Sequence, residues 1–395
     1  MDQTKTLEVV IVGAGAAGLG CAVALRDCGV KKLLVLERDG VGSSFRKWPK
    51  QMRLITPSFY SNPFKQTDLN AITPQSSLAD FVHKEHPSGE DYANYLRACV
   101  GHYQVPVEVG VEVLALTPHR QGWSLMTNRG ELQARFVIWA AGEFSQPHDG
   151  GIRGGEHCLH NSQVKDWSKL EGDTFTLVGG YESGIDAAIH LAWRGKQVNV
   201  LSRGEPWHDD DPDPSRSLSP FTRDRLREAL EDAPGTIRFY KNAVITEVRH
   251  DHGGWRLLDD AGNVFDSVTQ PILCTGFHKA LAPVKHLFAE HDGQMVFSED
   301  ADESTLHEGL FYSGPSLSHR QSLFCFIYKF RSRFGIIARA IAERLGLPWE
   351  EPLQAWREHG FMVDDLSCCT DCQCAVNGEN DEIAEAVEFA GAGEK

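Results

Sequence analysis

The sequence predicts an α/β protein made of two dinucleotide-binding units, each a strand, a glycine turn and a helix, followed by a short cysteine-rich tail. Three observations carry this expectation. An apolar strand runs straight into a glycine-rich turn and a helix at 7–39. The same pattern returns at 174–207. After Trp356 the chain becomes acidic and rich in small residues, with "SCCTDCQC" at 367–374.

The first unit reads "LEVVIVGAGAAGLGCAVALRDCGVKKLLVLERD". Val9 to Val12 form a continuous β-branched and apolar run, as a buried parallel strand requires. Gly13, Gly15 and Gly18 follow at dinucleotide-binding spacing. The first permits a tight turn, the second lets the backbone approach a pyrophosphate, and the third lets the helix lie close to the strand. Gly29 ends the helix near Cys28. A second strand, "KLLVLE", ends in Glu37, whose carboxylate can accept hydrogen bonds from a ribose and repels a 2′-phosphate. The site therefore suits FAD or NAD rather than NADP, with Arg38 beside it. The uncharged stretch 9–25 carries four glycines at motif spacing, which argues against a leader peptide.

The second unit reads "TFTLVGGYESGIDAAIHLAWRGKQVNVLSRGEPW". Gly179, Ser183 and Gly184 belong to its turn, and Gly195 ends its helix. Tyr181 replaces the middle glycine, so a different backbone approach is expected here. The second strand ends in Ser202 and Arg203 instead of an acid. A guanidinium there can grip a 2′-phosphate in a bidentate manner, which favours NADPH. One acidic and one basic ribose end in the same chain suggest FAD reduced by NADPH.

Organisation follows from these placements. Residues 1–150 and 270–350 are expected to form the FAD-binding domain, 155–268 the NADPH-binding domain, and 351–395 the acidic, cysteine-rich tail. The stretch 208–220 is acidic, Pro-rich and Ser-rich and reads as a loop. "FCFIYKFRSRF" (324–334) reads either as a channel lining or as an aromatic face with solvated cations opposite. The net charge of −16 argues against nucleic acid and anionic membrane surfaces. No stretch is long and apolar enough to span a membrane, and a cytoplasmic location is expected. Cysteines 21, 28, 99, 158, 274 and 325 lie in apolar surroundings and read as reduced, buried thiols.

Several stretches resemble the two-dinucleotide-binding-domain flavoproteins, namely flavin-containing monooxygenases and thioredoxin-reductase-like oxidoreductases. They are "VVIVGAGAAGLG" with "LERD", "VGSSFRKWPKQMRLITPSFYSNPF" (41–64), "VIWAAGEFSQP" (137–147), "VLSRGEPW", "ILCTGF" (272–277), and "LFYSGPS" followed by "FGIIARAIAERLG" (334–346). The resemblance implies two Rossmann-like domains. It implies that FAD touches Gly13, Gly15, Gly18, Glu37, Trp48, Val113 and Gly142, with Arg38 and Thr56 alongside. It implies that NADPH touches Gly179, Ser183, Gly184 and Arg203, with Ser202 at the ribose end.

The departures matter as well. Pro57 follows Thr56 where many N-oxidising relatives carry Asn. His160 has shifted spacing for the family's histidine motif. Ala17 stands where bacillithiol disulfide reductases place Cys, and the NADPH domain has no Cys-x-x-Cys.

Two acceptors for the electrons stay open. The first is oxygen, transferred to a soft heteroatom or carbonyl of a small molecule. The second is a disulfide or metal ion, reached through Cys368, Cys369, Cys372 and Cys374 as a thiol relay. The same four thiolates would also suit zinc, copper or an iron–sulfur cluster. A homodimer is compatible with a relay that reaches a partner subunit.

Overall fold

The computed structural model describes residues 6–60, 67–209, 211, 213, 215–251, 254–320 and 322–366. The chain divides into two compact units. One holds the described residues of 6–46, 57–145 and 279–366, and the other those of 47–56 and 146–278. Cys368, Cys369, Cys372 and Cys374 lie outside the described residues.

The first unit begins with β1 (Leu7–Val12), α1 (Ala16–Asp27), β2 (Leu33–Glu37) and the short α2 (Ser43–Arg46). It continues through α3 (Ala79–Val82), α4 (Gly89–His102), β3 (Val107–Val109), β4 (Val113–His119), β5 (Gly122–Thr127) and β6 (Gly130–Trp139). Val9, Val10 and Ile11 are fully buried, as a strand covered on both faces demands. Cys28 caps α1 and Gly29 follows at φ 85°. Ser88 caps α4 in a capping box with Asp91, which satisfies two otherwise orphaned amides.

The second unit holds β7 (Leu159–His160), β8 (Thr174–Val178), α5 (Glu182–Ala192), β9 (Gln197–Leu201), α6 (Pro220–Asp232) and β10 (Thr236–Tyr240). A hairpin sheet of β11 (Ile245–Asp251), β12 (Gly254–Asp259) and β13 (Val264–Ser267) follows, then β14 (Ile272–Leu273). The main sheet runs β10-β9-β8-β14-β7 and is parallel throughout. Its core gathers Phe175, Leu177, Ile185, Ile189, Val198, Val200 and Trp207. Ser219 caps α6 and Pro220 occupies its first turn, where its missing N–H costs nothing.

The first unit then resumes with β15 (Ala289–His291), β16 (Gln294–Val296), β17 (Leu310–Tyr312), β18 (Ser318–His319), β19 (Ser322–Leu323), α7 (Ile327–Phe330), α8 (Phe334–Leu345) and α9 (Gln354–Glu358). Its sheet runs β3-β2-β1-β6-β5-β4, with β17 also on β6. Ala134–Trp139 of β6 face β1 in parallel. On its other side β6 pairs with β5 over Gly130–Ala134 and with β17 over Val137–Trp139. One long strand thus leaves an antiparallel meander and enters the parallel dinucleotide sheet. Helix α8 crosses α1 where Gly20 leaves room: a Cβ there would meet the Phe334 ring at 2.0 Å. Gly346 ends α8 in a left-handed conformation.

Candidate functional site: two glycine turns with opposite ribose ends

The first turn follows directly from β1. Gly13 has φ +109°, and a Cβ on it would lie 2.4 Å from the Ala140 carbonyl oxygen. A Cβ on Gly18 would lie 2.0 Å from the Gly13 oxygen, whereas one on Gly15 would meet nothing within 4 Å. Gly15 is the N-cap of α1, makes no side-chain cap, and is followed by no acid in the first turn. The turn is therefore closed toward the protein and open toward a ligand, with the positive pole of α1 uncapped. That is the donor set a pyrophosphate needs.

Glu37 organises the rim of this turn. Its Oε2 accepts from the Ala14 amide at 2.8 Å, and its Oε1 accepts from the Asp39 and Gly40 amides at 2.8 and 3.1 Å. A carboxylate has about four lone-pair directions, so acceptor capacity on Oε2 remains for a ribose hydroxyl. The Val111 amide donates to the Glu37 carbonyl at 3.0 Å, which brings Val113, the first residue of β4, to the same edge. Gly142, at φ +69°, follows the end of β6.

The other candidates of this site diverge. Arg38 turns outward to Asp39 at 3.8 Å and Glu112 at 3.2 Å. Trp48 and Thr56 are half-buried and fall in the stretch 47–56, which groups with the second unit; there the Lys50 amide donates to the Lys165 carbonyl.

Sequence reasoning missed two side chains of the first unit. Arg46 is exposed and has no partner among the described residues. A Cβ on Gly40 would lie 2.8 Å from its Nη2, and the Gly42 amide beside it bonds the Ala14 carbonyl. A free cation thus stands next to the first glycine turn; its only sequence signal was its place just before Trp48. Glu143, directly after Gly142, has its carboxyl raised by burial, against the opposing charge of Lys279.

The second turn repeats the first. A Cβ on Gly179 would lie 2.4 Å from the Cys274 oxygen, and one on Gly184 would lie 1.9 Å from the Gly179 oxygen. The Gly179 amide donates to Leu201 at 2.8 Å, as the Gly13 amide donates to Leu36 at 2.8 Å. The expectation that Tyr181 changes the backbone approach is corrected. Tyr181 has φ −97° and ψ −168°, and Gly15 has φ −89° and ψ −171°. This position is ordinary extended backbone, so a side chain is allowed, and the Tyr181 hydroxyl donates to the Ser217 carbonyl at 2.7 Å.

Glu182 opens α5, where a free carboxylate would repel phosphate. It is instead anchored, accepting from the Ser219 amide and the Thr222 hydroxyl, and burial raises its pKa. Ser183 is half-buried with no partner among the described residues. Ser202 is buried under Gly180: a Cβ there would lie 2.6 Å from Ser202 Oγ. Arg203 is exposed and has no partner among the described residues. An open cleft lined by Gly204, Glu205, Pro206, His208 and Asp209 follows it.

Other readings change with the structure. His160 is buried and uses both ring nitrogens, Nδ1 with Ser162 at 2.8 Å and Nε2 with the Gly276 carbonyl at 3.0 Å. It therefore braces the 272–277 segment. The basic residues of 324–334 are not all solvated: Arg331 and Arg333 are buried. Arg331 Nη1 donates to the Asp68 and Ala71 carbonyls, and Arg333 grips Asp302. Cys325 is exposed, not buried, and Cys158 is half-buried. Burial pushes the Cys21, Cys28, Cys158 and Cys274 thiols up to about 12 and that of Cys99 to about 11. Among the described residues no His, Cys, Asp and Glu group is arranged to hold a metal ion, and no helix is long and apolar enough to cross a membrane.

A mixed sheet with a parallel β3-β2-β1-β6 core and a fully parallel sheet, each with a glycine turn at the carboxyl end of a strand, define a two-dinucleotide-binding-domain flavoprotein fold. Residues 10–314 match the family described as pyridine nucleotide-disulphide oxidoreductase, and the chain belongs to it. A protein named uncharacterized oxidoreductase CzcO from Bacillus velezensis is 27% identical over 189 residues, covering 47% of this chain and 52% of that protein. The chain thus spans about half the length of the first curated relatives it matches. The bacillithiol disulfide reductase Bdr of Staphylococcus aureus superposes with a TM-score of 0.70 at 21% identity, over 86% of this chain and 99% of that one. A flavin-containing monooxygenase from Stenotrophomonas maltophilia gives 0.64 at 16% identity, over 86% and 99%.

Proposed function

We propose that this protein is an NADPH-consuming FAD oxidoreductase of the flavin-containing-monooxygenase kind, delivering oxygen to a soft heteroatom or carbonyl of a small molecule. The observation that carries this reading is the contrast between the two ribose ends. Glu37 closes the first with a carboxylate engaged by three backbone amides, while Arg203, at the second, has no partner among the described residues. Bound FAD supplies a hydride acceptor that can pass electrons on to oxygen. The chain's own contribution is to hold and orient. Gly13, Gly15 and Gly18 offer the pole of α1 to a pyrophosphate, Glu37 takes a ribose, and Val113 and Gly142 flank them. Gly179, Ser183, Gly184, Ser202 and Arg203 serve NADPH in the same way.

The buried and half-buried thiols of the described residues favour oxygen over a disulfide as acceptor, while Cys325 is exposed. Thiol exchange needs a thiolate, and burial keeps Cys21, Cys28, Cys99, Cys158 and Cys274 protonated at neutral pH. The likeness to Bdr supports a second reading, an NADPH-dependent thiol, disulfide or metal-ion reductase acting through Cys368, Cys369, Cys372 and Cys374.

NADPH consumption with and without oxygen, and with and without a small disulfide, in the full chain and in a chain ending at Leu366, separates the two. Oxygen-dependent consumption that survives the truncation supports the first reading. Disulfide-dependent consumption lost on truncation supports the second. If NADPH fails to bleach the flavin absorbance anaerobically, both readings fall.

A further inference from the structure

Arg331 and Arg333 stand two residues apart in one 3₁₀ turn, and both are buried, at 6% and 1% exposed. Their planar heads are engaged differently. The Nε–Nη2 edge of Arg333 grips the Asp302 carboxylate, Nε at 3.0 Å from Oδ2 and Nη2 at 2.9 Å from Oδ1, and its Nη1 donates to the Val363 carbonyl at 2.9 Å. This is the two-pronged pairing that guanidinium and carboxylate geometries favour. Arg331 engages Nη1 alone, which donates to the Asp68 and Ala71 carbonyls. Its Nε is sealed from solvent without a hydrogen-bond partner. Its Nη2 has no partner among the described residues either. The edge that holds a carboxylate in Arg333 thus meets no acceptor in Arg331 among the described residues.

The charge of Arg331 is not matched at close range. The residue makes no ion pair among the described residues. Burial pulls its pKa down to about 10, against the attraction of the Asp68 carboxylate, so the head is still a cation at neutral pH. That carboxylate is occupied elsewhere. It accepts from the Asn70 amide at 2.9 Å, the Ser77 hydroxyl at 2.8 Å and the Ala79 amide at 3.1 Å. A buried charge without a close counter-ion is costly. Water can fill the hydrogen bonds of such an edge, but a neutral molecule does not cancel the charge.

The head is nonetheless held in one orientation by groups that are themselves fixed. Its Cζ lies 4.5 Å from the centroid of the Phe361 ring. Phe361 is fully buried, and its amide donates to the Trp356 carbonyl at 2.7 Å. The turn that supplies the two carbonyls is braced as well. The Ala71 amide closes it onto the Asp68 carbonyl at 3.0 Å, the Tyr92 hydroxyl donates to the Asn70 carbonyl at 2.9 Å, and the Ile72 amide donates to the Tyr95 hydroxyl at 3.0 Å. All of these residues belong to the first unit. A cation fixed in this way loses little freedom when a planar anion meets its edge.

We propose that Arg331 is a carboxylate-binding residue, its Nε and Nη2 donating to the two oxygens of a small organic acid while Phe361 and the 68–71 turn hold it in place. The site goes beyond the flavin chemistry and does not depend on it, because every group it uses lies outside the two glycine turns. Nothing in the sequence separates Arg331 from Arg333. The two flank Ser332 in the same aromatic stretch, and only the Asp302 carboxylate tells them apart.

Titration of the full chain with benzoate, benzamide and chloride at constant ionic strength tests it, read by thermal unfolding and by the carbon resonance of the labelled carboxyl or amide group. Benzoate is expected to bind saturably and to raise the unfolding temperature, and benzamide and chloride to do neither. Arg331→Lys keeps the charge and a donor for the two carbonyls but loses the fork. It is expected to bind benzoate about tenfold more weakly, and Arg331→Met is expected to lose the saturable response. Benzoate that binds no better than benzamide, or that equimolar chloride displaces, overturns the site. Unchanged benzoate affinity in Arg331→Lys places the acid elsewhere and overturns it too. Should neither variant fold, Arg46→Ala and Arg203→Ala remove the exposed arginines of the two glycine turns. Benzoate binding that survives both supports Arg331, and binding lost in either overturns it. A chain that takes up no FAD sinks the functional reading above but leaves this test standing, since the titration reads the acid alone.

Discussion

Glu37 and Ala14 are joined by a 2.8 Å hydrogen bond in which the Ala14 amide donates to the carboxylate. The bond ties the end of β2 to the middle of the first glycine turn. Glu37 is thus both a ribose acceptor and the brace of the turn that takes the pyrophosphate. Glu37→Ala removes the carboxylate that accepts from three amides. FAD affinity should fall by at least about tenfold, because hydrogen bonds to a charged group contribute about 1.5–3 kcal/mol each. Glu37→Gln should fall between the two, since it keeps one acceptor oxygen. Equilibrium titration of the apoproteins with FAD checks the order, and an alanine variant that binds like the natural chain would refute it.

At the second turn the discriminating group is Arg203. Its guanidinium makes no ion pair among the described residues, so it is free to meet a 2′-phosphate. Arg203→Ala should lower kcat/KM for NADPH about 10–100-fold, the range for losing a charge-assisted bond, and leave NADH within a factor of about two on the same grounds. Steady-state kinetics with both nucleotides reads this directly. Equal losses for the two would assign Arg203 a structural role instead.

The near-identical backbone of Gly15 and Tyr181 makes a distinction that the glycine pattern alone does not. Gly15 has φ −89° and open space at its Cβ position, whereas Gly18 faces its own turn at 2.0 Å. Gly15→Ala should fold with stability within about 0.5 kcal/mol of the natural chain, as usual for a substitution that meets no clash, yet bind FAD more weakly because the methyl occupies the ligand's side. Gly18→Ala should lose about 2 kcal/mol or more through overpacking. Urea unfolding of both apoproteins, paired with FAD titration, tests the separation. Equal destabilisation would mean that the open side of the turn is misjudged.

Much of this was legible in the sequence because local rules fix it. The buried run Val9–Val12, Gly13 before the helix, and the helix end at Cys28 and Gly29 each follow from backbone sterics and lie where the pattern put them. The rest depends on contacts distant in sequence. Arg331 and Arg333 look like surface cations until Asp302 and the carbonyls of the 68–71 segment are brought to them. His160 looks like a motif histidine until Gly276 and Ser162 occupy both of its nitrogens. Tyr181 looks disruptive until its φ is known, because a glycine in a motif does not reveal whether its freedom is used. Trp48 and Thr56 show the same limit, since a linear resemblance does not say with which unit a connecting stretch will pack.

The pH dependence of folding should expose the bracing of the second turn. Asp186, on α5 just after Gly184, is buried and bonded to Arg225 Nη1 at 2.7 Å, with His190 Nε2 at 3.4 Å. Burial alone would raise its carboxyl, but His190 and Arg225 outweigh burial and hold it below the usual carboxylate value. A carboxyl whose pKa is lower in the folded state stabilises the fold at pH above its unfolded value, and that stabilisation is lost as pH falls toward the folded value. Asp186→Asn should therefore cost about 2–4 kcal/mol near neutral pH, where Arg225 is left without its carboxylate. The gap to the natural chain should close as pH drops below the ordinary range of an aspartate. Urea unfolding of the two proteins across neutral and acidic pH measures it. A gap that stays constant across that range would mean that Asp186 acts through packing and not through its charge.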